Sequence, residues 1–300
     1  MKWFNKMIAA ILPFLPKSFV WLFSRRYVSG KSLTDGVEKT KELNNLGCCG
    51  TMDVLGEDIY TLEEAIQSRE ECIRVLRAID ENKLDANLSV KLTSLGLRID
   101  KERCYEHVKE IVDQAEQLKN FIRIDMEDST CTDDTLEIYR RLRKEYDNVG
   151  AVIQAYMKRS REDVRQLIDE GIAHLRICKG IYDEPKEIAF KNKQEIRESF
   201  MEMVRMMLES GSYIGIATHD RELIDRSFQA IASYNVSGSD YEFQMLLGVT
   251  EKLRGEIVAQ GNRLRVYVPY GEQWFGYCTR RLKENPQIAG HIIKNIFIRG

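Results

Sequence analysis

The chain predicts an α/β fold, specifically a (β/α)8 barrel of the TIM type. Three observations carry this: eight short apolar runs, amphipathic segments of helical length between them, and no Pro/Gly-rich seam after about residue 45. Strand–helix alternation argues for a parallel sheet, and 300 residues is long enough for one such barrel. An open doubly wound sheet is the competing fold. Against it, no GxGxxG or GxxxxGK[ST] loop follows any apolar run.

The elements follow in order. The candidate strands are 47–55, 87–92, 121–126, 151–156, 174–178, 213–217, 241–246 and 263–268. Each is a short apolar run of buried-strand length. Pro269 and Gly271 punctuate the last one. Between them, helical patterns cover 62–79, 101–118, 133–146, 161–170, 193–209, 222–234 and 252–260. A further helix is expected after the eighth strand. The domain reading is an N-terminal helical arm over residues 1–45 and a barrel over 46–300.

The arm departs from the rest in charge. Residues 1–34 hold Lys2, Lys6, Lys17, Arg25, Arg26 and Lys31 and no acid, with many apolar residues between them. Pro13, Pro16 and Lys17 interrupt the apolar stretch and no A-x-A-like site follows, which argues against a signal peptide. The stretch is also too short and broken to span a bilayer. Two readings stay open: helices packed on the barrel, or a basic amphipathic segment touching an anionic membrane.

Bulk properties exclude several classes. Apolar residues are 43%, charged residues 31% and net charge −2, as for a soluble protein with a sizeable core and no basic field for nucleic acid. Seven cysteines without CxxC pairs read as free thiols in a reducing compartment, so a cytoplasmic location is expected. Four histidines in no HExxH or HxH pattern argue against a metal centre.

After the last strand, Tyr277, Arg280, Arg281 and Glu284 fall at i, i+3, i+4 and i+7, on one helical face. Paired guanidiniums beside an aromatic ring suit a small carboxylate with an apolar body. A solvated helix with an Arg–Glu pair is the plainer alternative. Barrel chemistry gathers at the C-terminal rim. There the strand ends offer Lys91, Asp125, Gln154, Arg176 with Lys179 and Tyr182, Thr218 with His219, Glu242 with Gln244, and Tyr267. Polar groups beside buried runs are costly unless paired. For any one of them a structural ion pair is the competing explanation.

The motifs resemble the proline dehydrogenase family. Tyr267-Val-Pro-Tyr-Gly followed by Tyr277-Cys-Thr-Arg-Arg-Leu-Lys-Glu284 is similar to its Y-x-x-R-R-x-x-E signature. Ser89-Val-Lys-Leu, Ile124-Asp-Met-Glu, Leu175-Arg-Ile-Cys-Lys-Gly-Ile-Tyr182 and Ala217-Thr-His219 match in the same order, and the likeness runs over roughly residues 30–290. The resemblance implies a distorted (β/α)8 barrel carrying noncovalent FAD. It implies oxidation of L-proline to Δ1-pyrroline-5-carboxylate, the first step of proline catabolism, with electrons passed to membrane quinone. Peripheral contact with the inner face of the membrane would suit that acceptor.

It also implies roles. Arg280 and Arg281 bind the substrate carboxylate, with Lys91 as a third positive charge beside it. Asp125 orients Lys91 or an arginine. Tyr267, Tyr277 and Ile177 line the ring pocket, Tyr182 closes over the substrate, and Glu284 holds the arginine pair. Gln154, Arg176, Lys179, Thr218, His219 and Arg281 face the flavin, with Arg176 near N5. The last helix should then lie across the barrel mouth. One departure is Phe190-Lys-Asn-Lys193, where the family tends to carry hydroxyl residues. Tyr277 stands where related hydroxyproline dehydrogenases have a smaller residue, which favours proline. Without the resemblance, two other classes compete: a Schiff-base aldolase using Lys91, and a noncatalytic anion-binding or membrane-associated scaffold.

Overall fold

Alternation along each strand decides this architecture, because successive side chains point to opposite faces. The computed structural model describes residues 21, 25–56 and 59–278. Its eight strands are β1 (Cys49–Val54), β2 (Ala86–Val90), β3 (Ile122–Ile124), β4 (Val149–Gln154), β5 (Leu175–Cys178), β6 (Ile214–Ala217), β7 (Tyr241–Leu246) and β8 (Leu264–Tyr270). Each pairs in parallel with the next, and β8 pairs with β1, so the sheet closes into a barrel. The predicted α/β class and TIM-type barrel are therefore what forms.

The outward faces of the strands are apolar. Met52, Leu88, Ile122, Ile153, Ile177, Ile216, Phe243 and Val266 are all buried in the core between strands and helices. The helices are α1 (Leu33–Asn45), α2 (Leu62–Glu81), α3 (Lys101–Gln117), α4 (Thr132–Arg143), α5 (Ser160–Asp169), α6 (Lys193–Glu209), α7 (Arg221–Tyr234) and α8 (Glu251–Ala259). Their starts are written locally. Ser32 with Asp35 and Thr61 with Glu64 form capping boxes, and the Asp100, Asn192 and Asp220 side chains cap α3, α6 and α7. The helix expected over 133–146 ends at Arg143, and strand boundaries move by at most two residues from those expected.

Two features shape the β8–β1 seam, and the first departs from the expected strand end. First, Pro269 does not end the strand: it sits in β8 opposite Asp53. Its carbonyl faces away from β1 and accepts from Ser29 N (2.9 Å), while the Tyr270 carbonyl accepts from Leu55 N. The missing proline N–H therefore points past the end of β7, where no ladder bond is lost. Second, α1 packs on the outside of both β1 and β8. The approach is close: a Cβ on Gly36 would lie 2.9 Å from Met52 Cε and 3.1 Å from the Tyr270 ring. With that seam covered by an N-terminal helix, the chain after β8 is free to turn over the rim. The helical turn at 274–278 does so, and Tyr277 lines the cavity at the C-terminal mouth. Trp21 packs edge-on against Trp274, ring centroids 4.7 Å apart.

Candidate active site

The inward faces of the strands carry charge rather than hydrocarbon. Lys91 stands one residue beyond β2 and Asp125 one beyond β3, each continuing the inward-facing set of its strand. Lys91 Nζ lies 2.6 Å from Asp53 Oδ1 on β1 and 3.7 Å from Asp125 Oδ2. The Tyr267 hydroxyl donates to Asp125 Oδ2 (2.9 Å), and Lys91 Nζ donates to that hydroxyl (3.1 Å). Ser89 Oγ donates to Asp125 Oδ1 (2.7 Å), as does Arg176 Nη1 (2.6 Å). Arg176 Nε donates to Gln244 Oε1. Six strands or strand ends thus meet through one chain of charged hydrogen bonds, a geometry stronger than neutral pairing.

A deeper tier supports it. Gln244 Nε2 donates to Glu242 Oε1 (2.6 Å), and Arg265 grips both oxygens of Glu242, at 2.6 and 3.0 Å. Glu242 therefore lies below the rim, not on it as expected. Its register partner is Gly215 in the middle of β6, which places it one inward layer beneath Gln244. Room for this tier comes from glycines. A Cβ on Gly215 would fall 2.5 Å from Gln244 Nε2, and one on Gly150 would fall 2.4 Å from Arg123 Nη1. The buried Arg123 guanidinium is held by the carbonyls of Ala151 (3.0 Å) and His174 (2.8 Å).

Environment sets the protonation of these groups. Burial pushes the Asp53 carboxyl up to about 6, against the pull of Lys91 and helped by the negative charge of Asp125. Burial acts the same way on Asp125, but Arg176 and Lys91 outweigh it and hold that carboxyl below its usual range. Glu242 is held at about 2, where Arg265 and then Arg263 overcome burial. Burial drives the Tyr267 phenol well above its usual range, so it stays a hydrogen-bond donor. Burial, with Arg123 beside it, keeps His174 neutral.

A cavity of about 480 Å³ opens above this network at the C-terminal ends of the strands. It brings together Lys91, Asp125, Gln154, Arg176, Lys179, Tyr182, Thr218, His219, Tyr267 and Tyr277, residues that the sequence singled out separately. Lys179 pairs with Asp220 at the α7 cap, and His219 Nε2 accepts from Leu246 N (2.8 Å). Ile177 is a correction: it is fully buried among the outer-face residues, because Arg176 and Cys178 on either side of it face inward. Arg280, Arg281 and Glu284 lie outside the described residues. Asp53 and Arg265 were missed. Their signal was present, a lone charge inside an apolar run, but it does not tell which face the charge occupies.

The family model for proline dehydrogenase matches residues 37–293. Proline dehydrogenase 1 of Bacillus subtilis strain 168 is 40% identical over 275 residues, which is 92% of this chain and 91% of that protein. The proline dehydrogenase of Deinococcus radiodurans is 31% identical over 287 residues, 94% of this chain and 92% of that protein. The chain belongs to the proline dehydrogenase family. Among solved structures, proline utilization A from Bdellovibrio bacteriovorus, inactivated by N-propargylglycine, superposes with a TM-score of 0.84 at 24% identity. The match covers 88% of this chain and 32% of that one. Proline utilization A from Bradyrhizobium japonicum gives a TM-score of 0.75 at 20% identity, over 89% and 32%. These two share the barrel, and the chain spans about a third of their length.

The proline dehydrogenase resemblance implies a flavin, and the β4–β6 wall can be tested for it. A flavin nucleotide presents carbonyl, ring-nitrogen and phosphate acceptors. That wall presents donors of matching kind: the Gln154 amide, the Arg176 guanidinium, the Lys179 ammonium and the Thr218 hydroxyl. Arg176 is clamped through Nε and Nη1, and its Nη2 has no partner among the described residues. Gly180, at φ +97°, lets the chain pass flat against the Tyr156 ring, which a Cβ would meet at 2.1 Å. The donor set fits the group.

Proposed function

We propose that this chain oxidises L-proline to Δ1-pyrroline-5-carboxylate with noncovalently bound FAD, electrons then passing to membrane quinone. The observation that carries the reading is the convergence of Lys91, Asp125, Arg176, Tyr267 and Tyr277 on one cavity in a chain of this family. When bound, FAD supplies the two-electron acceptor; Gln154, Arg176, Lys179, Thr218 and His219, with Arg281, are the residues that would hold it.

The protein's part is charge and orientation. Lys91 offers a fixed ammonium for the substrate carboxylate, and Arg280 and Arg281 are the proposed guanidinium partners, held by Glu284. Gripping the carboxylate fixes the ring carbon beside nitrogen, which is the proximity contribution. Tyr267 and Tyr277 supply the walls around the ring. Asp125 holds Lys91, Tyr267 and Arg176 in register with one another, and Tyr182 covers the substrate. The amine must be neutral before its neighbouring carbon can lose hydride, and the cations around the cavity lower its pKa. Lys91 as a Schiff-base nucleophile fits less well, because the Asp53 carboxylate at 2.6 Å favours its protonated form. No helix among the described residues is long and apolar enough to cross a membrane. Delivery of electrons to quinone by peripheral contact from the cytoplasmic side is part of the same proposal.

The deciding experiment is the visible spectrum of the purified protein. Flavin absorbance that bleaches anaerobically with proline supports the reading; a protein that stays colourless after loading with FAD overturns it. Arg281→Met should then raise KM for proline steeply, by the few kcal/mol of a lost charged partner. An unchanged KM would remove Arg281 from the carboxylate site.

A further inference from the structure

The stretch from Lys179 to Asn192 joins β5 to α6 and is longer than most strand–helix connections in such folds. Its first four residues, through Tyr182, line the cavity. Its ends are pinned to the chain leaving β4. Tyr156 N donates to Lys179 O (2.9 Å), Phe190 N donates to Tyr156 O (2.7 Å), and Lys158 N donates to Ile188 O (2.9 Å). Between these pins, its middle is fastened across to the loop after β3. There Ser129 N donates to Glu184 Oε1 and Ser129 Oγ donates to Glu184 Oε2, both at 2.7 Å.

Glu184 is an unusual residue for an outer loop. It is 6% exposed and forms no ion pair among the described residues, while its neighbours Asp183 and Pro185 are exposed. A buried carboxylate without a counter-charge is costly, and here its compensation is one backbone amide and one hydroxyl from a single residue. It also lies two residues from Tyr182, with Glu184 N donating to Tyr182 O (3.1 Å). Gly180 at φ +97° is the bend on the other side of Tyr182.

We propose that Glu184 and Ser129 are positioning residues: their two-bond latch holds Tyr182 over the cavity and so sets affinity for the substrate. This rests on the proline-oxidising reading, and it assigns to these two residues an action exerted through Tyr182 alone. Neither Glu184 nor Ser129 needs to touch substrate or flavin.

The test compares wild-type holoprotein with Glu184→Ala, Glu184→Gln and Tyr182→Ala, alone and with Glu184→Ala added. Glu184→Ala should raise KM for proline about tenfold with kcat within about twofold, since it removes binding rather than chemistry. It should also speed tryptic cleavage after Lys186 and Lys191. Glu184→Gln keeps an acceptor for the amide and a donor for the hydroxyl, so KM should stay within about threefold of wild type. In the Tyr182→Ala background, adding Glu184→Ala should change KM less than about twofold. An unchanged KM in Glu184→Ala, a Gln variant as impaired as Ala, or full additivity with Tyr182→Ala would each overturn the proposal. Should the wild-type protein fail to turn over proline, the functional reading falls. The trypsin comparison still decides the latch, and equal cleavage rates reject it.

Discussion

Lys91 Nζ lies 2.6 Å from Asp53 Oδ1, in an ion pair that joins β1 to β2 below the cavity and is nearly sealed from solvent. The second carboxylate oxygen of Asp53 has no partner among the described residues. The pair therefore depends on one contact. Lys91→Met should destabilise the protein by about 3–5 kcal/mol at pH 8, the cost of leaving a buried charge uncompensated. At pH 5 the loss should be smaller. The sign follows from Asp53, already at about 6 and pushed higher when Lys91 is gone. The folded state then holds a proton that the unfolded state has released, so stability falls as pH rises. Urea unfolding at the two pH values checks this, and equal losses would refute it.

Glu242 carries the opposite dependence. Its folded value of about 2 lies below the ordinary 4.5, so its contribution is complete above that range and is lost as pH falls toward 2. The shift corresponds to about 3 kcal/mol. Glu242→Gln should lower stability at pH 7 by an amount of that order and flatten the decline between pH 4.5 and 3. Unfolding midpoints followed over pH 3–7 measure both, and an unaltered slope would mean other carboxylates dominate.

Gly215 and Gly150 should separate function from stability. On Gly215, a Cβ meets the flexible Gln244 amide at 2.5 Å, which can move at the expense of its bond to Arg176. Gly215→Ala should reduce turnover at least tenfold with a modest loss of stability. On Gly150, a Cβ also meets the His174 carbonyl at 2.5 Å, and backbone cannot swing aside. Gly150→Ala should cost about 1–3 kcal/mol or more by overpacking. Thermal unfolding and steady-state rates on both variants test the contrast; similar behaviour would argue against it.

Val28 is fully buried beside Ser29, whose amide and hydroxyl both bond Pro269 O. The segment around it therefore packs as part of the barrel wall. Val28→Asp should destabilise by several kcal/mol through an unpaired buried carboxylate. A neutral outcome in urea unfolding would show that this strap is dispensable.

Much of the site was legible residue by residue. Lys91, Asp125, Arg176 and Tyr267 stand out because charge or hydroxyl interrupts or flanks an apolar run. Their mutual distances were not legible, since Lys91 and Tyr267 are 176 positions apart in the chain and meet only through barrel closure. Ile177 was misread for a local reason: a neighbour of two cavity residues is, by strand alternation, on the opposite face. Glu242 was misread for a nonlocal one, because its depth depends on register with β6. Ser129 and Glu184 carry no pattern in sequence that marks them as partners.

By itself, the sequence determined the eight strands, the helices between them, the helix caps and the kinds of charge near each strand end. These depend on apolar periodicity and on contacts a few residues apart. Only the tertiary structure decided which charges meet and how each is protonated. It also decided that α1 covers the β8–β1 seam, so that the chain after β8 turns to the mouth. Those outcomes depend on closure and register, where a slip of one residue sends every side chain to the other face. They also depend on surroundings: burial raises both Asp53 and Asp125, but Arg176 and Lys91 pull Asp125 below its usual range while Asp53 stays above it, although the two side chains are chemically identical.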